Sequence, residues 1–160
     1  MVRKTRQIII TGIMLSTLCI MLGVQAANVV LTEEVVTRYE ATQPEIQDLT
    51  KKLTELEKMS ESDDKTAKIS EIVAKRTEVV GSKGWADFWE YMDARSRITE
   101  VLIPLMVLEK FEHQQVENIK KAQETVLNQL KKKDFSREEI KVVIKHFQVL
   151  KKLHETAVNR

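Results

Sequence analysis

Four side chains have types and spacing that could hold a metal: Glu109, Glu112, His113 and His154. Glu109 and Glu112 fall on a helical seam that steps by four and three residues through Ile98, Leu102, Leu105, Glu109, Glu112, Val116, Ile119, Gln123, Val126 and Leu130. A carboxylate on such a seam needs a cation, a proton, a metal or water beside it. A turn near residues 133–135 folds this helix onto the last one as an antiparallel hairpin, which sets His113 opposite His154 with Glu109, Glu112 and Glu155 close by. Two imidazoles with carboxylates could ligate a divalent metal, and facing histidines could ligate haem. The spacing speaks against both. Di-iron bundles repeat Glu-x-x-His on two helices, whereas here Lys110, Val143 and Lys151 stand three residues before His113, His146 and His154. The expectation is a solvated polar end in which Glu109 or Glu112 meets Lys151 or Lys152, with no metal and no cofactor.

Nucleophilic and phosphate chemistry find less support. There is no Gly-x-Ser-x-Gly, no His-Glu-x-x-His and no glycine-rich phosphate loop, and Cys19, the only cysteine, lies in the apolar run near the N-terminus. The chain is not expected to be an enzyme.

Two apolar constellations remain. The stretch "GWADFWEYMDAR" holds both tryptophans, Trp85 and Trp89, with Phe88, Tyr91 and Met92. Counting back from Ile98 by helical steps places Phe88 and Tyr91 on the seam. Trp85, Trp89 and Met92 fall on the far side of the same helix. Those three residues are either buried by the preceding hairpin or offered to a partner, for which tryptophan is a favoured anchor. The second constellation is "VLIPLMVL", residues 101–108, apolar on every side. It is too short to span a bilayer and reads as the centre of a bundle or a dimer interface, or, through Leu102, Leu105 and Met106, as an apolar ligand pocket.

The elements that must position these residues are helical throughout. With two prolines and four glycines, the chain has too few turn residues for a sandwich or barrel. Thr32 reads as an N-cap before Glu33 and Glu34, and a short helix ends at "EATQPE". Thr42 then caps a second helix with Pro44 in its first turn and a seam of Ile46, Leu49, Leu53 and Leu56. Ser62 or Asp63 caps the next helix, which ends at the glycine signal "GSKG" and forms an antiparallel hairpin with its predecessor. A long third helix follows from Trp85 to about Lys132, kinked or broken near residues 100–104 by Pro104. The last starts at a capping box, Ser136 with Glu139, and carries Ile140, Val143, Phe147, Leu150 and Leu153 on one face. The fold class is thus all-α, an antiparallel bundle of about four main helices.

Residues 1–26 read as a signal peptide. Arg3, Lys4 and Arg6 precede an apolar run from Ile8 to Leu22, Gly23 breaks it, and Val24-Gln25-Ala26 suits cleavage after Ala26. The alternative is an uncleaved membrane anchor facing the periplasm. Residues 27–160 then form one exported helical domain without cysteine, as in a bacterial envelope protein. Export disfavours nucleic acid as a partner. Residues 27–109 carry 11 basic and 17 acidic groups and residues 110–160 carry 12 and 7, so an acidic half and a basic half can pack against each other. The function expected is a non-enzymatic accessory, scaffold or chaperone-like subunit that works through an envelope protein partner or self-association. Alternatives are a ligand-sensing or metal- or haem-binding bundle, and a membrane-anchored coiled-coil protein.

Overall fold

A computed structural model describes residues 29–110 and 116–158, with side chains for all of these but 116–119. The proposed signal peptide, Glu112 and His113 lie outside the described residues. Among the described residues every regular element is helical and there is no strand. The helices are α1 (Glu33–Glu57), α2 (Asp63–Ser82), α3 (Phe88–Glu109), α4 (Val116–Lys132), α5 (Arg137–Lys145) and α6 (Phe147–Val158). None of them is long and apolar enough to cross a membrane.

Helix α1 joins the two helices expected on either side of "EATQPE". Thr32 caps it, accepting from the Val35 amide at 3.3 Å, and Pro44 sits in its interior. An interior proline costs a helix about 3 kcal/mol or more. What outweighs that here is one buried face that runs unbroken past the proline through Val36, Tyr39, Gln43, Ile46 and Leu49. A break at Thr42 would turn half of these residues away from the core.

Ser62 caps α2, accepting from the Lys65 amide at 3.1 Å. The α1–α2 hairpin is antiparallel as expected: Lys83 meets Glu45 at 2.7 Å near its open end, and the buried Lys65 ammonium donates to the Met59 and Glu57 carbonyls at its turn, at 2.9 and 3.3 Å. Lys65 thereby satisfies acceptors that the end of α1 leaves open.

Helix α3 differs from the expected helix over residues 85–132 at both ends. Asp87 caps it, accepting from the Trp89 and Glu90 amides at 2.8 Å, so Trp85 stands before the helix. Pro104 does not end it; α3 runs to Glu109. Val101 and Leu102 before the proline are buried and Leu105 after it is half-buried on the same side, which holds the helix through the missing hydrogen bond. The expected last helix is interrupted instead, at His146, whose φ of −94° and ψ of 6° separate α5 from α6. The capping box at its start forms as expected.

Helix α3 packs against every other helix, and among the described residues the close backbone contacts of α4 are with α3. The core gathers on α3 around Tyr91, Ala94, Ile98, Val101 and Leu102, with Val36, Ile46, Val80, Leu130, Val143 and Leu150 from the other helices.

Candidate functional site

The connection from α2 to α3 decides the fate of the tryptophan cluster. Helix α2 ends with the Gly84 amide donating to the Gly81 carbonyl at 3.0 Å and the Trp85 amide to the Val80 carbonyl at 3.3 Å. Gly84 has φ of 86°, and this left-handed glycine closes a Schellman turn. The turn throws Trp85 back over the end of α2, where it is 3% exposed. Its indole N–H donates to the Thr42 hydroxyl at 3.0 Å, and that hydroxyl donates to the Arg38 carbonyl at 2.7 Å. The Arg38 guanidinium lies 5.1 Å above the indole and donates to the Gly84 carbonyl at 2.9 Å.

Tyr91 completes the cluster. Its ring meets Trp85 edge-on at 5.7 Å and stacks on Tyr39 at 6.0 Å, and its hydroxyl donates to the Gln43 side-chain oxygen. Burial pushes the Tyr39 phenol up to about 12 and the Tyr91 phenol higher still. Neither ionises near neutral pH, so the cluster is a packing node and not an acid–base pair.

The three proposed contact residues therefore separate. Trp85 is core; it lies outside the helix, so the helical wheel that grouped it with Trp89 does not describe it. Met92 is half-buried against the core and lines a shallow groove with Tyr39, Arg95 and His154. Trp89 is 57% exposed. The residues 14 and 18 further on, Ile103 and Val107, return to the same side of α3 and are 46% and 47% exposed.

Glu109 meets Lys151 at 2.6 Å, one of the cation pairings expected for it, and the ion pair raises the Lys151 pKa. His154 lines the Met92 groove, while Glu112 and His113 lie outside the described residues. Among the described residues no group of three or more histidine, cysteine or acidic side chains could hold a metal. Of the proposed pocket residues, Leu102 is buried and Met106 half-buried. Leu105 lines an open groove with Leu108, Ile144 and Phe147.

A second titrating group, His146, was not among the candidates. At the α5–α6 joint its Nδ1 lies 2.8 Å from Glu40 and its Nε2 2.8 Å from Glu33, and Lys145 also reaches Glu33 at 2.5 Å. Ionised carboxylates only accept, so this geometry favours the imidazolium, which donates from both nitrogens. Burial opposes that charge, but the hydrogen bonds to Glu33 and Glu40 outweigh it and raise the pKa above 6.5. The seven-residue spacing of Glu33 and Glu40 places both on one face of α1. What hid the pairing is its range: His146 lies more than a hundred residues from both carboxylates.

Glu139 shows a local signal with a tertiary use. It closes the α5 capping box and also accepts from Arg97 at 2.7 Å and from the Leu31 amide at 3.2 Å. Burial alone would raise its pKa, yet the Ser136 amide, Arg97 and Leu31 hold the carboxyl below its ordinary range. One carboxylate ties the start of the described chain to α3 and α5.

No protein-family model, curated protein or solved structure matches the chain, so its function has to be read from these side chains.

Proposed function

We propose that this is a non-enzymatic helical protein of the bacterial envelope that acts through protein contact, with the outer face of α3 as its contact surface. The observation that carries this is Trp89, a large aromatic side chain left 57% exposed on α3, with a separate exposed apolar pair, Ile103 and Val107, further along the same side of the helix beyond Asp93, Ser96 and Glu100. Tryptophan confers binding energy when it enters a partner's pocket, and Ile103 and Val107 offer a second apolar point of contact on the same side of α3. The basic and apolar segment over residues 1–22 supports export. The partner is an envelope protein or a second copy of the chain.

A photo-crosslinking residue at position 89, introduced in producing cells, tests the surface. The expected result is a discrete adduct that is absent from a control probe at position 124 on α4 and lost with Val107→Asp. Adducts of equal intensity from both positions, or none from position 89 in a protein that is monomeric in solution, would refute the contact surface.

A further inference from the structure

Helix α6 lies along α1, where the Gln47 amide donates to the Leu153 carbonyl at 2.8 Å. Beside this contact is a groove of about 260 Å³, lined by α1 from Gln43 to Lys58, by Arg95 of α3 and by Ala157 of α6. Sites for drug-sized ligands run to roughly 300–1,000 Å³, so this one suits a smaller occupant.

The most enclosed polar groups on the groove are donors. Gln43 is 2% exposed; its side-chain oxygen accepts from the Tyr91 hydroxyl, and its side-chain nitrogen has no acceptor among the described residues. An amide nitrogen so enclosed is costly to leave without an acceptor. Arg95 is half-buried and makes no ion pair among the described residues. Arg76 of α2 holds its guanidinium 4.7 Å over the Phe88 ring, with its Nε buried and unpartnered. Burial lowers the Arg76 pKa, and the charge of Arg95 lowers it further. Two guanidiniums thus lie close enough to repel, and an anion on Arg95 would relieve that repulsion. Gln43 and Arg95 also border the Met92 groove, but the other charged or titratable side chains there are Glu100 and His154. In the first groove Arg95, Lys51 and Lys58 stand against Glu55 alone.

Farther along α1 the lining changes from donors to acceptors. The Gln47 amide is engaged by Leu153, and the Thr50 and Thr54 hydroxyls donate to the Ile46 and Thr50 carbonyls at 2.7 and 3.1 Å. What these three side chains have left to offer is oxygen lone pairs, which accept from hydroxyl groups. A molecule with one anionic group and several hydroxyls meets both sets.

We infer that this groove binds a small hydroxylated anion, a monosaccharide-sized polyol with one carboxylate or phosphate, its charge on Arg95 and the Gln43 amide and its hydroxyls on Gln47, Thr50 and Thr54. The site uses none of the proposed contact residues and stands whether or not Trp89 meets a partner.

Calorimetric titration of the full chain with glucuronate, glucose 6-phosphate, glucose and inorganic phosphate tests the inference. Saturable binding of at least one sugar anion is expected, and the tighter of the two identifies the anionic group. Glucose and inorganic phosphate, which each carry half of the recognised chemistry, should bind about tenfold more weakly or less. Arg95→Gln should weaken the sugar anion about tenfold, and Thr50→Val with Thr54→Val, both at exposed positions, should do the same. Trp89→Ala should leave every constant unchanged. Circular dichroism melts identify any variant that fails to fold, and the threonine pair decides the matter if Arg95→Gln does. No saturable binding of either sugar anion overturns the site, as does glucose or inorganic phosphate bound as tightly as the sugar anions. Binding indifferent to Arg95→Gln, or to the threonine pair, in a folded protein overturns it too.

Discussion

At the level of single residues, His146 and the two tryptophans make the sharpest claims. The imidazolium bridges Glu33 and Glu40, and its folded pKa lies above the ordinary 6.5. A raised pKa means that the folded state holds the proton more tightly, so the stabilisation is complete below about pH 6.5 and is lost as pH rises through the folded value. His146→Gln should therefore lower stability by roughly 1–2 kcal/mol at about pH 5.5, and the gap to wild type should narrow steadily towards pH 9. Thermal unfolding across that range checks it, and a gap that widens with pH would reverse the sign. The tryptophans differ through burial alone. Trp85→Ala removes a buried indole and its hydrogen bond to the Thr42 hydroxyl, and should cost about 3–5 kcal/mol; Trp89→Ala on the surface should stay within about 0.5 kcal/mol. Phe88 and Tyr91 were legible as seam residues because they obey the helical period. Trp85 was not, because its burial follows from a turn and not from a wheel.

At the level of elements, that turn occurs twice. Helix α4 ends as α2 does: the Asp134 amide donates to the Lys131 carbonyl at 3.2 Å, the Phe135 amide to the Leu130 carbonyl at 3.2 Å, and Asp134 takes the left-handed position with φ of 59°. In both turns the next residue is an aromatic sent into the core, Trp85 and Phe135 at 3% and 5% exposure. The backbone demands give opposite signs to superficially similar substitutions. Gly84→Ala would force a side chain into φ of 86° with ample room around it, costing about 1–3 kcal/mol through the backbone. Gly81→Ala meets nothing within 4 Å inside α2 and should gain about 0.5–1 kcal/mol, and Asp134→Gly should gain a similar amount by relieving the left-handed aspartate. Urea unfolding of the three variants orders them, and a stabilising Gly84→Ala would contradict the turn. Three caps were legible because a cap is a local hydrogen bond: Thr32, Ser62 and Ser136 each act where the sequence puts them, whereas Thr42, expected as a cap, lies inside α1 and bonds the Arg38 carbonyl. Helix continuity was not, because Pro44 and Pro104 are tolerated by burial on other helices and the interruption at His146 is tied to carboxylates more than a hundred residues away in the chain.

At the level of the whole molecule, the acidic and basic halves meet, among the described residues, mainly through ion pairs of one polarity. Glu33 takes Lys145 and His146, Glu40 takes His146, Glu100 takes Lys133 and Glu109 takes Lys151, all with the acid before residue 110 and the base after it. Arg97 with Glu139 runs the other way and is the pair with the more deeply buried carboxylate. The division of charge was legible by counting, and so was Lys151 as a partner for Glu109. Which lysines reach which acids was not, because that depends on α3 lying against both α4 and the α5–α6 arm. Exposed pairs contribute little singly, roughly 0–1 kcal/mol each, but charges of one sign facing charges of the other also act over distances comparable with the screening length. That length is about 10 Å at 0.1 M salt and about 3 Å at 1 M. Lys133→Glu combined with Lys145→Glu places two acids beside Glu100 and Glu33 without disturbing the core, since both lysine side chains are more than half exposed. The double variant should lose about 1–2 kcal/mol at low salt, and most of that loss should disappear in 1 M salt. Thermal unfolding at the two ionic strengths checks it; a loss that does not change with salt would mean that the lysines act through their aliphatic stems and that the halves are joined by the apolar core alone.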